Sequence, residues 1–247
     1  MILRKGEPLA DELTRAVQGG SLEALQGLLA AHPGLAAARI NDDRGSKALL
    51  HVVTDWPGFF PNGPAVVKLL LAGGAEPNVR TQDAQGHDGE TPLQWAASSD
   101  DVEVAEALVV GGADLEARGA CIAGGTALAN AVGYGCWRVA RQLLHHGATV
   151  EQLWQAAALG LPARVEEFFQ NETPPSPEDV NHAFWQGCRG GYRRTVEYLF
   201  ARGADPNWIP DYAKETAWQI ASSAGQDTGR AALLNWLRAV GAPGEAK

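Results

Sequence analysis

The chain has 247 residues, 45% of them apolar, enough to fill a sizeable core or to spread one along a row of smaller units. Its 29 acidic side chains outnumber 20 basic ones and give a formal charge of −9, so the protein as a whole repels duplex phosphate and nucleic acid is excluded as an expected partner. Cys121, Cys136 and Cys188 are odd in number and lack paired spacing, which argues against a disulfide framework and against a zinc ribbon.

The first residues, Met1 to Pro8, contain no apolar run of signal-peptide length, and Asp11 and Glu12 follow at once. No later segment reaches the roughly 20 apolar residues needed to span a bilayer. The expectation is a cytoplasmic protein without membrane contact.

From the amino terminus onward one pattern recurs: an Ala-rich short helix, a Gly turn, and a second helix ending in Leu-Leu or its equivalent. The first copy, residues 10–40, runs from Leu13 through Gly19-Gly20 to Leu28-Leu29 and lacks a Thr-Pro opening, as an end unit with one face to solvent can. Ser21 stands where it can N-cap the second helix. The second copy, residues 46–80, carries Leu50-His51, then an insert over residues 57–64 with Phe59 and Phe60 adjacent in a Pro/Gly loop, then Leu70-Leu71 and Gly74-Ala75.

The third copy, residues 86–118, is the most regular: Gly89-Glu90-Thr91-Pro92-Leu93 opens a helix, Ala96-Ala97 permits close approach to neighbours, and the second helix closes at Gly111-Gly112-Ala113-Asp114. An enlarged loop, residues 81–88, precedes it. In the fourth copy, residues 121–149, Thr126 repeats Thr91 but Ala127 replaces the proline, and Gly147-Ala148 closes the unit. The fifth, residues 150–171, places Trp154-Gln155-Ala156-Ala157 before Phe168-Phe169. Asn171 to Pro177 then reads as an extended connector with three prolines. The sixth, residues 178–209, has its first helix at Ala183-Phe184-Trp185 and ends at Gly203-Ala204-Asp205-Pro206-Asn207. The seventh, residues 213–243, holds Thr216-Ala217-Trp218-Gln219 and Leu233-Leu234, before a frayed tail at 244–247.

Thr126 follows Thr91, and Gly147-Ala148 follows Gly112-Ala113, at one constant interval close to a known repeat period of about 33 residues. With Gly-x-Thr-Pro-Leu, the chain resembles the ankyrin-repeat family. The resemblance implies an all-α solenoid of about seven helix-turn-helix repeats with short β-hairpin or finger loops, forming one domain over residues 1–243. It also implies a concave face built from finger loops and first helices, where another protein binds. Thr91 and Thr126 are expected to cap first helices, and Gly112, Gly147 and Gly203 to be left-handed.

Positions just after Ala-Ala, or its equivalent, are implied to point to that face: Asp55 and Trp56, Ser98 and Ser99, Gly133 and Tyr134, Ala158 and Leu159, Arg189 and Gly190, Ser223 and Ala224. Trp95 and Asn130 lie a turn earlier, and finger loops add Arg80, His87, Asp88, Glu90, Arg118 and Trp208. Trp56, Trp95 and Tyr134 form an expected aromatic strip, with Phe59-Phe60 as a flap or as a cluster pinning its own loop. Trp154 and Trp185 are assigned to the slot where the family carries His, and Trp218 and Trp236 to the core. His51 reads as a hairpin hydrogen-bonder and His145-His146 as a helix end. The spacings contain no metal site and no phosphate-binding or nucleophile-elbow motif, so neither cofactor nor metal is expected.

The function expected is a non-catalytic, monomeric scaffold that binds another protein. The alternative is a small-molecule-binding protein or enzyme whose concave pocket is closed by the 57–64 insert, with Asp55, His87, Asp88, Glu90 and Arg189 available for acid–base work.

Overall fold

Short helices in sequential pairs make up the chain. The computed structural model describes residues 1–223 and 228–242 and divides into two units, Met1–Thr149 and Val150–Lys247. The first unit contains β1 (Ile2–Arg4), α1 (Pro8–Gln18), α2 (Leu22–Ala31), β2 (Arg39–Asp42), β3 (Gly45–Ala48), α3 (Leu49–Val53), α4 (Gly63–Ala72), β4 (Gln82–Asp83), α5 (Pro92–Ser99), α6 (Val102–Val110), α7 (Ala127–Tyr134) and α8 (Trp137–His145). Each odd helix packs on the even one after it; α1, α3, α5 and α7 then stack in a row, as do α2, α4, α6 and α8. Such helices are too short to persist alone in water, so the stacking holds them.

Local sequence sets the starts. Thr91 is extended and its hydroxyl accepts from Gln94 N, while Gln94 Oε1 accepts from Thr91 N at 2.7 Å and Pro92 occupies the first turn of α5. Thr126, equally extended, makes no side-chain cap, and Ala129, standing where Gln94 does, supplies no reciprocal acceptor. Ser21 likewise makes no side-chain cap; in the third pair Asp101 does, accepting from Val104 N at 3.2 Å. Ala96 and Ala97 are fully buried, and of the Leu-Leu pairs Leu70 and Leu143 are sealed while Leu28, Leu29, Leu71 and Leu144 are half-buried. Gly112, Gly147 and Gly203 have φ of 94°, 92° and 95°, the left-handed conformation expected of them.

The residue three places into a first helix ties it to the next finger. His51 Nδ1 accepts from Ala48 N at 3.3 Å, which leaves the proton on Nε2 to be donated to the Glu90 carbonyl at 3.0 Å. Gln94 Nε2 donates to the Ala117 carbonyl at 2.8 Å. The fingers themselves carry a four-stranded sheet in the order β1-β2-β3-β4, with β1 parallel to β2 and the other pairs antiparallel. Three-residue β1 gives too short an alternation to be read from sequence.

The 57–64 insert connects α3 to α4 and is pinned to both flanking pairs. Asn62 Nδ2 donates to the Gly20 carbonyl at 2.9 Å, and Phe59 N donates to Asp101 Oδ2 at 2.8 Å. A Cβ at Gly20 would lie 2.0 Å from the Pro61 carbonyl oxygen, so only glycine admits the insert there.

The second unit contains α9 (Leu153–Ala158), α10 (Pro162–Gln170), α11 (Pro177–Gly190), α12 (Arg193–Phe200), α13 (Ala217–Ser223) and α14 (Thr228–Ala239). Ala156, Ala157 and Ala158 are fully buried, and α9 and α11 approach so closely that a Cβ at Gly190 would lie 2.3 Å from the Ala158 carbonyl oxygen. The connector is shorter than the sequence implies, because α11 begins at Pro177: Ser176 Oγ accepts from Asp179 N at 3.1 Å and Asp179 Oδ2 accepts from Ser176 N at 3.0 Å. Ala224 and the 244–247 tail lie outside the described residues.

Candidate binding groove

In the first unit the row of first helices brings the expected aromatic residues to one surface. Thr54, Asp55 and Trp56 follow α3, Ser98 and Ser99 end α5, and Tyr134 ends α7; with Glu90, Trp95 and Cys121 they line an open depression of about 210 Å³. Trp56 is 84% exposed and Tyr134 51%. Trp95 is half-buried and held edge-on to His51, with ring centroids 5.1 Å apart. The charged residues lining this depression, Asp55 and Glu90, are both acidic.

A second hollow, about 440 Å³, adjoins it through Asp55 and Trp95 and extends along β3 and β4. It adds Asp42, Arg44, Lys47, Asp83, His87 and Asp88. Lys47 Nζ lies 2.5 Å from Asp55 Oδ2 and 5.9 Å from the centroid of the Trp95 ring. Asp83 accepts from His87 Nδ1, at 2.9 Å, and from the His87 and Gln85 amides, and these bonds hold its carboxyl below the usual range.

The far wall is a hydrogen-bonded network. Asn130 is fully buried: Nδ2 donates to Glu90 Oε1 at 2.7 Å and to the Gln94 carbonyl at 3.2 Å, while Oδ1 accepts from Ile122 N at 3.1 Å. Glu90 Oε1 also accepts from Cys121 N at 2.9 Å. Cys121 Sγ sits 3.1 Å from the Tyr134 hydroxyl. That bond, with burial, pushes the Tyr134 phenol up to about 12, and burial together with the Glu90 charge raises the Cys121 thiol. Both are therefore neutral near pH 7, and the thiol is a weak nucleophile. His51, wholly buried, falls to about 4 through desolvation and is also neutral. The surface offers aromatic faces, carboxylates and hydroxyls, which suit the holding of a ligand by its cations and donors.

Of the residues singled out from sequence, Asp55, Trp56, Glu90, Trp95, Ser98 and Tyr134 meet at the depression, and His87 and Asp88 join Asp55 and Trp95 at the adjoining hollow. Phe59 and Phe60 do not: they line a separate hollow with Pro64, Val102 and Arg138, drawn there by the Asp101 bond, so they form no flap over the aromatic strip. Asn130 is not a contact residue, being enclosed by the finger it supports. Arg80 donates from Nη1 to the Gly89 carbonyl at 2.9 Å inside its own finger. Arg118 is exposed between α6 and α7 and lines neither hollow. Arg189 belongs to the second unit, in the last turn of α11. Sequence reasoning missed Lys47, Thr54 and Cys121. Lys47 had a signal: its place in the strand just before Leu49-Leu50-His51.

The second unit gathers other aromatics around His182. Trp154 stacks on it at 5.7 Å between centroids, Trp208 lies 6.1 Å away, and Tyr212 Oη is 2.7 Å from His182 Nε2. Trp185 fills the His slot and donates from Nε1 to the Glu215 carbonyl at 2.9 Å. Trp154 does not: Gln155 takes that position, accepting from Glu151 N and Gln152 N. Trp218 and Trp236 are half-buried rather than sealed, with the Arg238 guanidinium over the Trp218 ring and Phe200 edge-on to Trp236.

Among the described residues no group of three or more His, Cys, Asp or Glu could hold a metal ion, and no helix is long and apolar enough to cross a membrane. The paired helices, the fingers and the open lined surface define a helical-repeat protein. Residues 59–152 match the family model for ankyrin repeats in three copies. The fold is similar to that in the crystal structure of the human ASB11 ankyrin repeat domain, at a TM-score of 0.50 and 20% identity, covering 90% of this chain and 96% of that one. The chain is 30% identical over 148 residues to the ankyrin repeat and KH domain-containing protein mask-1 of Caenorhabditis elegans. That match takes in 60% of this chain and spans 5% of the length of the curated relative. These likenesses support an ankyrin-repeat protein, with the repeats matched over residues 59–152.

Proposed function

We propose that the protein is a non-catalytic ankyrin scaffold, with four copies of the repeat in the first unit and three in the second, that binds another protein through the groove of the first unit. Ankyrin repeats generally mediate protein–protein interaction. The observation that carries the reading is the placement of Trp56, Trp95 and Tyr134 on successive helix pairs along one open depression. Exposed aromatic rings on a pre-ordered frame give large contact area at low entropy cost, the property of interface hot spots. The alternative of a small-molecule pocket or active site closed by the insert loses its lid, since residues 57–64 line neither hollow of the groove.

The test is affinity capture from lysate with the wild type and a Trp56→Ala/Tyr134→Ala double variant, after circular dichroism has shown the two equally folded. Partners retained by the wild type are expected to be lost by the variant. Capture of the same set by both would overturn the assignment of the groove.

A further inference from the structure

The groove also indicates what kind of segment it takes. The depression pairs three aromatic rings with two carboxylates, Asp55 and Glu90, and no cationic side chain lines it. Across both hollows, Asp42, Asp55, Asp83, Asp88 and Glu90 stand against Arg44 and Lys47, with His87 bonded to Asp83. The chain carries a formal −9, so the field around this surface attracts cations before contact. The protein already shows the matching contact inside itself: the Lys47 ammonium is set between the Trp95 ring and the Asp55 carboxylate. Trp56, next along the surface and 84% exposed, presents a second indole beside the same carboxylate, with its own amide bonded to Asp55 Oδ1 at 3.0 Å. An indole face backed by a carboxylate favours lysine and arginine over neutral or acidic side chains.

We propose that the groove receives an extended basic segment of a partner protein, with a lysine or arginine laid on Trp56 and its charge turned toward Asp55 and Glu90. The proposal rests on the protein-binding reading and adds the chemistry of the ligand to it. Apolar neighbours of that cation reach Trp95 and Tyr134, and the acidic second hollow takes the continuation of the chain.

The experiment is selection of random dodecapeptides by display on the full chain at physiological ionic strength, followed by a screen of the recovered clones against Trp56→Ala and Ser98→Lys. Both side chains line the depression; Trp56 is largely in solvent and Ser98 is half-buried, so neither change needs the core to repack. Groove-dependent clones are expected to be enriched in Lys and Arg over the input library. They should weaken about tenfold on Trp56→Ala, weaken again on Ser98→Lys, and lose affinity as salt is raised. Groove-dependent clones that are neutral or acidic, or that tolerate Ser98→Lys, would overturn the basic-segment proposal and leave protein binding in place. If every clone binds Trp56→Ala as well as the wild type, both the proposal and the groove assignment fail.

Discussion

His51 should make the stability of the first unit pH-dependent over a defined window. Its imidazole is fully buried, accepts from Ala48 N and donates to the Glu90 carbonyl, so only the neutral ring satisfies both partners. Desolvation lowers its folded value from 6.5 to about 4. The unfolded chain therefore binds the proton more readily between these limits. Stability from this group is complete above pH 6.5 and declines as pH falls toward 4. The full span corresponds to about 3 kcal/mol, and the step from pH 7 to pH 5 to about 2 kcal/mol. His182 is also lowered by burial and acts in the same sense, so the measurement must be a difference. His51→Gln supplies it, because a carboxamide serves the same slot at Gln94 with no titrating group. Urea unfolding followed by circular dichroism at pH 7 and pH 5 should show the variant losing about 2 kcal/mol less than the wild type on acidification. Equal losses would refute the buried neutral histidine.

Three further outcomes are expected. Gly147→Val puts a β-branched side chain at φ 92° with no atom within 4 Å of the new Cβ, so the penalty is backbone strain alone; thermal unfolding should shift down by about 1–2 kcal/mol of stability with unchanged helix content at low temperature. Asn130→Ala strips Glu90, Ile122 N and the Gln94 carbonyl of a shared partner and should cost at least about 2 kcal/mol by chemical denaturation, with faster proteolysis near Cys121-Ile122; wild-type stability would show the network to be incidental. Asp101→Ala removes both the α6 cap and the anchor of Phe59 N, and should cost about 1–2 kcal/mol and open residues 57–64 to limited proteolysis, whereas an insert as resistant as before would mean that its apolar contacts suffice.

What the sequence made legible was what a few neighbouring residues decide. Thr91, Pro92 and Gln94 form a cap, a first turn and a reciprocal acceptor within four positions, and the repeat interval carries that register to Tyr134, so the aromatic strip is legible in the sequence. The insert could not be placed in this way, because its anchors are the Asp101 carboxylate and the Gly20 carbonyl, each 42 positions away. Asn130 was assigned by register to the surface, yet the finger at Cys121-Ile122 folds over it and converts a surface position into a buried strut. The start of α11 is marked in the sequence by Ser176-Pro177-Glu178-Asp179, a cap, an N1 proline and an N3 acid, although the prolines before it read as an extended connector. Trp154 is displaced by one position from the His slot because the fifth copy lacks the opening Thr that marks the register in the third, fourth and seventh copies.

The pinned insert alters how the first unit comes apart. In a stack where each layer touches only its neighbours, the end layer can peel off without the third sensing it. Here one eight-residue loop, rooted in the second layer, grips Gly20 of the first with Asn62 and Asp101 of the third with Phe59. Loosening at the amino-terminal end pulls on the loop, and a loop released from one side loses support on the other. The energetics thus acquire a term that spans three layers. Fraying from this end becomes a concerted event, and the frame beneath Trp56 and Trp95 keeps its spacing until the layers yield together.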